Sequence, residues 1–412
     1  MLLKKALLYI LGLCVSYLVS YSQTTINPKS LNGSNLNAIE SAVPFLTIAP
    51  DSRSGAMGDV GVATTPDVNS MHWNAAKYAF IKESAGVGIS YTPWLRNLVN
   101  DINLAYLSGF KRIDRQQVVA ATLRYFSLGE IIFTDDNGNV LKPFNPNEFA
   151  IDAGYSRLFT DRLSGGVAFR FIRSDLTGNL SGDNLGGATK PGISFAADIS
   201  MYHTQDIKLI DKEATLSYGA MISNIGTKIS YTTNLGKEFI PINLRFGGNL
   251  KTQLDNFNSL SFALDFNKLL VPTPPIYYNT GDTLPNGTVV QTNDKIIEYG
   301  KDPNVPVFQG MLQSFYDAPG GFREELQEFM ISTGLEYTYR DQFIIRAGHF
   351  YEAQNKGNRK YFTVGVGLKL NVFTLDFAYL IPTSGRNNPL ANTVRFTLSF
   401  LFDKNHKKAA SV

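Results

Sequence analysis

From residue 85 onward the chain repeats one pattern. Segments of about ten residues alternate apolar with small or polar positions, and turn residues separate them. In NEFAIDAGYSRLF, Phe149, Ile151, Ala153, Tyr155 and Arg157 share one face, with Ala150, Asp152, Gly154 and Ser156 on the other. After the turn Thr160 to Arg162, Leu163, Val167, Phe169 and Phe171 repeat the arrangement. Phe329, Ile331, Leu335, Tyr337 and Tyr339 oppose Ser332, Gly334, Glu336 and Thr338, while Leu260, Phe262, Leu264 and Phe266 oppose Ser261, Ala263, Asp265 and Asn267. A period of two predicts strands with one apolar and one polar face. About fourteen are expected, near 85–92, 101–111, 117–128, 148–158, 163–173, 191–203, 213–226, 241–251, 258–268, 327–339, 342–351, 360–370, 372–381 and 392–402.

The connections discriminate further, because short links alternate with long ones. RDQ (Arg340 to Gln342) and Leu370-Asn371 are tight, whereas about 129–147, 174–190, 227–240 and 269–326 are long. Short turns at one end and long loops at the other describe an antiparallel transmembrane β-barrel, whose closure leaves no edge for lipid to meet. A soluble β-sandwich or propeller also alternates, but its strands are usually about five or six residues long. The aromatics near strand ends suit a membrane girdle. The final segment sets Phe396, Leu398, Phe400 and Phe402 on one face, resembling the terminal signal of barrels inserted into an outer membrane.

Composition agrees. Aromatics make up 12% of the 412 residues and charged residues only 18%, below the roughly 25% of ordinary soluble domains. A net charge of +3 gives no reason to expect nucleic acid as a partner. The first 22 residues have a basic start (Lys4, Lys5), an apolar run from Ala6 to about Val19 and small residues up to Ser22, which predicts a cleaved signal peptide. Cys14, the single cysteine, lies within it, so the mature chain is expected to hold no disulfide or thiolate metal site.

Catalytic material is sparse. His72, His203, His349 and His406 have no partner at metal-ligand spacing, and no recognisable catalytic motif occurs, so neither enzyme activity nor a cofactor is expected. The stretch PDSRSGAMGDVGVATTPDVNSMHWNAAKYAF carries Gly55, Gly58 and Gly61, a spacing that differs from the dinucleotide fingerprint and has no strand before it. It is expected instead to form a compact hatch. Its glycines would allow tight turns, Met57, Trp73, Tyr78 and Phe80 would supply apolar contacts, and Arg53 would pair with Asp59 in a polar lumen. The 269–326 segment carries Tyr277, Tyr278, Phe308, Phe315, Tyr316 and Phe322, residues suited either to a partner or to a lid on the barrel. Trp94, in the first long loop, is a further exposed-aromatic candidate.

AVPFLTIAPDSRSGAMGDVGVAT followed by NSMHWNAAKYAF resembles the N-terminal segment of the PorV family, outer-membrane proteins of the type IX secretion system of Bacteroidetes within the wider FadL-like barrels. That group's asparagine-proline-alanine motif reads Asn74-Ala75-Ala76 here, with alanine in place of the common proline. Together with the residue pattern, the resemblance gives an expected order of a signal peptide at 1–22, an N-terminal extension and hatch at 23–84, a barrel of about 14 strands at 85–402 and a periplasmic tail at 403–412. The resemblance itself implies that residues 42–80 form the hatch, including Arg53, Gly55, Met57, Gly58, Asp59, Gly61, Trp73 and Asn74. It also implies a role: binding cargo that bears a C-terminal signal domain at the translocon barrel and delivering it to the surface attachment complex. The alternative it leaves open is a FadL-like transporter of hydrophobic small molecules. A sister barrel of the same system that carries no cargo is a third.

Overall fold

The structure, a computed structural model, describes residues 36 to 403 apart from 97, 98, 100, 135–139, 179–188, 210, 233–235, 293, 384–389 and 392. The expected signal peptide with Cys14, the residue His406 and the tail beyond Asp403 lie outside the described residues.

Alternation becomes strand at the expected places. The chain forms β1 (Ala85–Pro93), β2 (Ile102–Arg112) and β3 (Gln117–Leu128), then a small outer hairpin of β4 (Ile131–Thr134) and β5 (Val140–Phe144). There follow β6 (Asn147–Thr160), β7 (Leu163–Asp175), β8 (Gly192–Leu209), β9 (Lys212–Gly226), β10 (Asn243–Gln253) and β11 (Asn258–Leu269). The long loop holds the short pair β12 (Ile276–Tyr277) and β13 (Ile297–Tyr299). The chain closes with β14 (Met330–Tyr339), β15 (Phe343–Tyr351), β16 (Lys360–Leu370), β17 (Phe373–Pro382) and β18 (Val394–Phe402). Fourteen of these strands, all but β4, β5, β12 and β13, form one closed antiparallel barrel. Each pairs with its sequence neighbour, and β1 closes on β18 from Ala85↔Phe402 to Tyr91↔Phe396.

Side-chain direction follows the period of two. In β1, Gly86, Gly88, Ser90 and Thr92 are buried towards the lumen, while Val87, Ile89 and Tyr91 face out. In β3, Thr122 and Arg124 point in and Leu123 and Tyr125 point out. Aromatic rings gather on the outer face near the long-loop ends: Phe171 lies 6.0 Å from Phe149 and 5.4 Å from Phe195, and Phe246 stacks on Phe266. Phe373 and Phe400 do the same at the short-turn end. An apolar outer band between two aromatic belts is the surface lipid selects. Among the described residues no helix is long and apolar enough to cross a membrane; the strands cross it.

Two boundaries depart from expectation. β8 continues to Leu209 rather than stopping near residue 203, and its last residues pair with β9 from Thr204↔Ser217 to Leu209↔Lys212. Beyond the lipid band a strand has no apolar face to maintain, so the polar run HTQDIK resembles a turn although it forms ladder. At the other end, Phe322–Gln327 is helical, and β14 begins at Met330, not at residue 327.

The lumen is filled by the chain that precedes β1. Between Ala42 and Ile81 most side chains are buried, in two helical turns, α1 (Ser52–Gly55) and α2 (Ser70–Trp73), and two 3-10 segments, Pro44–Thr47 and Ala75–Phe80. So short and irregular a segment cannot satisfy its own amides, and the wall does so. Ser52 N–H donates to Thr397 Oγ1 and Gly58 N–H to Thr363 Oγ1, each at 2.8 Å. Asp265 of β11 accepts both Gly61 N–H (2.7 Å) and Val62 N–H (2.9 Å). The small inward residues that broke the apolar pattern of the strands are the ones that hold this segment.

Candidate functional site

The site is built from three parts: the lumenal segment, the charged wall around it, and the long loop above. In the segment, Asp51 caps α1 through Ser54 N–H (2.9 Å) and also accepts Trp73 Nε1–H at 2.5 Å. Asn74 Nδ2 donates to Val62 O (2.9 Å) and to Met201 O of β8 (2.8 Å), while its Oδ1 accepts Ala76 N–H. Lys77 Nζ donates to Gly61 O at 2.7 Å and Thr64 Oγ1 at 3.0 Å. Burial, offset only in part by Asp67, lowers the Lys77 ammonium to about 8.

The expected Arg53–Asp59 pair is not formed. Arg53 makes a two-pronged contact with Glu336 of β14 (3.1 Å for each prong) and reaches Asp67 at 2.8 Å. Gly58 and Asp59 both have positive φ (68° and 62°), and that turn sends the Asp59 carboxylate the other way. It accepts Tyr361 Oη–H at 2.5 Å and lies 3.5 Å from Arg395. Nor are all three glycines turn glycines. A Cβ on Gly61 would lie 2.3 Å from the Trp73 ring, and one on Gly55 would meet Arg395, so these two allow close packing. Met57 packs with Val60 and Ala263 against the β11 side of the wall.

The wall is more charged than the apolar pattern suggested. Arg170 bridges Asp152 (2.6 Å) and Asp198 (3.0 Å), and Arg346 bridges Glu336 (2.8 Å) and Asp376 (2.6 Å). Alternation placed Asp152, Asp265 and Glu336 on the inner face; the arginine partners of Asp152 and Glu336 on neighbouring strands needed the register. His72 is enclosed by Arg124, Arg170 and Arg245, and burial with those cations holds its imidazole well below the usual range. Arg124 can only donate, so Nδ1 of His72 accepts at 2.7 Å and Nε2 carries the proton, unpartnered in the described structure. His349 lies outside this network, against Phe362 on the outer face.

The long loop is folded. Besides β12 and β13 it holds α3 (Val307–Gln313) and α4 (Phe322–Gln327). Lys268, at the top of β11, bonds Glu325 at 3.2 Å and also Glu328. Lys356 reaches Glu328 at 2.9 Å, and Thr273 Oγ1 donates to the same carboxylate at 2.6 Å. Leu270, Val271 and Met311 join Phe239, Ile240, Phe45 and Phe126 in one apolar cluster. Trp94 packs against that cluster, so it is not the exposed aromatic expected; Asn97 beside it is outside the described residues. Tyr278 is half-buried. Phe308, Phe315, Tyr316, Phe322 and Tyr277 are exposed, Phe308 at 71% and Phe322 at 77%.

Between loop and lumenal segment opens a cavity of about 810 Å³. Asp59, Trp73 and Arg245 form its floor, Phe239, Leu269, Val271, Met330 and Phe350 supply apolar wall, and Pro272, Pro275 and Tyr277 belong to its loop side. Its size falls within the roughly 300–1,000 Å³ of ligand sites. The floor is a full stop: Trp73 and the segment beneath it are buried.

Several solved structures and one family model are similar to this chain. The Ralstonia pickettii toluene transporter TbuX is 12% identical over 86% of this chain and 98% of its own, with a TM-score of 0.43. The Pseudomonas putida toluene transporter TodX is 12% identical over 84% of this chain and 96% of its own, TM-score 0.45. A Pseudomonas aeruginosa FadL homologue is 10% identical over 89% and 99%, TM-score 0.42. No curated protein matches the sequence. The family model for type IX secretion system protein PorV matches residues 31–276, more than half of the chain. The chain therefore belongs to the PorV family, outer-membrane components of the type IX secretion system.

Proposed function

We propose that this barrel is a carrier: it takes cargo bearing a C-terminal signal domain from the translocon barrel and delivers it to the surface attachment complex, without catalysing a reaction itself. One observation carries the reading. The long-loop mouth combines a floored cavity with a folded loop whose aromatic side chains, Phe308 and Phe322 foremost, remain outside its own packing. Exposed aromatics on a loop anchored by buried ion pairs fit recognition of a protein better than disorder does. The cavity would take one end of the cargo and the aromatic rim its flank. Export is expected to use the N-terminal signal peptide, cleaved after Ser22.

The competing reading, a transporter of hydrophobic small molecules, draws on the apolar upper wall of the cavity. It requires a strand kink that opens the pocket sideways to the membrane; the way straight down, below Trp73, is filled by a segment whose amides are tied to β11, β16 and β18. Deletion of the gene separates the two. Cargo with C-terminal signal domains is expected to vanish from the cell surface and return when the native gene is supplied. Normal cargo display in the deletion strain, with impaired uptake of a hydrophobic compound, would reverse the assignment.

A further inference from the structure

The floor of the cavity holds a cation that the protein itself leaves unpaired. Arg245 points inward from β10 and is nine-tenths buried. Its Nε donates to Asn267 Oδ1 at 2.5 Å, Nη1 has only a long contact to His72 O at 3.4 Å, and its guanidinium lies 4.6 Å from the Trp73 ring. Among the described residues no carboxylate comes within 4.0 Å of it. Of the other charges that line the cavity, Arg359 is matched by Glu352, Lys356 by Glu328 and Asp59 by Arg395. Asp265, Asp59 and Asp198 act on Arg245 only from beyond contact. A buried guanidinium with no carboxylate in contact is costly, and such a group facing a ligand-sized space offers a place to an anion from outside. One pleat above it, Asn243 lines the same cavity, and its Oδ1 has no hydrogen-bond partner.

We propose that Arg245 is a subsite for the free C-terminal carboxylate of a cargo polypeptide, with Asn243 placed for the adjoining amide. This rests on the carrier function proposed above and names the part of the cargo that enters the cavity. The blind floor favours a chain end, because an internal segment would have to enter and leave by the same mouth. The apolar upper wall suits the side chains just before that terminus. A planar, cationic fork held against an aromatic face is built for a planar carboxylate. The unmatched amide acceptor favours a peptide, which brings an N–H beside its carboxylate, over a fatty acid, which does not.

The experiment uses the full-length protein in detergent micelles, with three probes: an intact cargo signal domain, a synthetic peptide of that domain's C-terminal end as free acid or as C-terminal amide, and palmitate. The free acid is expected to bind about tenfold or more tightly than the amide, the scale of a charge-assisted contact. Arg245→Gln removes that preference and Arg245→Lys restores part of it. Heat-modifiable migration in gels checks that each variant is a folded barrel. Equal binding of acid and amide peptides, with the intact domain still bound, overturns the subsite and leaves the carrier reading standing. No binding of the intact domain or of either peptide overturns both. Palmitate binding that depends on Arg245, with no peptide binding, assigns the floor to a lipid carboxylate and also overturns the proposal.

Discussion

At the scale of single residues, the lumenal segment is held by contacts that tolerate little change. Gly61 lies beneath the Trp73 ring, whose position is fixed by Asp51 on one side and Arg245 on the other. In Gly61→Ala the added methyl has nowhere to go, and overpacking of this kind costs about 1–3 kcal/mol. Hydrogen exchange of amides between Ser52 and Trp73 is expected to quicken while exchange in the strands is unchanged. Gly236→Ala, where a Cβ meets open space, is the control. Identical exchange in the two variants would show that the Gly61–Trp73 contact does not hold the segment.

Asp51 supplies a second residue-scale test. Burial, with the charge of Asp67 second, raises its carboxyl from 3.8 to about 6. Between those values the seated segment keeps a proton that the released chain gives up, so seating weakens as pH rises through that window and levels off above it. Exchange in the segment, corrected for intrinsic rates, is expected to rise from pH 4 to pH 6 in the native protein. In Asp51→Asn that rise is absent. A native profile flat across the window would contradict the account.

At the scale of elements, the long loop depends on a few buried charges. Lys268 faces Glu325 and Glu328, which have little other positive charge nearby apart from Lys356. Removing one partner of a buried pair costs about 3–5 kcal/mol, because the remaining charge stays buried. Lys268→Ala is therefore expected to open the 270–329 loop to limited proteolysis while the barrel keeps its heat-modifiable migration. A loop as resistant as the native one would show that the apolar cluster around Phe239 and Met311 anchors it alone.

The same scale shows what the sequence made legible. Strand positions followed from the period of two, which lipid outside and polar lumen inside enforce on every crossing strand. Where that constraint ends, reading from sequence weakened: at the tail of β8, at the start of β14, and inside the loop, whose helices α3 and α4 carry no strong apolar stripe. The site was half legible. Exposure of Phe308 and Phe322 could be expected from aromatics in a long connection, but partial burial of Trp94 could not, because the cluster it packs against gathers residues from several strands, the long loop and the segment before β1. Arg245 was not singled out at all. Its significance lies in what is missing around it, and only three-dimensional neighbours reveal that.

At the scale of the whole molecule, an outer-membrane barrel holds a lumen filled by its own N-terminal chain and a mouth rimmed by exposed aromatic side chains. The family match places the chain in type IX secretion; the mouth is where its specific task is proposed to lie. The most direct test places a photo-crosslinking amino acid at Tyr277 on the cavity rim, at Phe308 on the loop, and at Phe169 on the lipid-facing wall, in cells that secrete normally. The account predicts cargo adducts from positions 277 and 308 and none from 169. Adducts to the translocon alone, with no cargo captured at either mouth position, would contradict it.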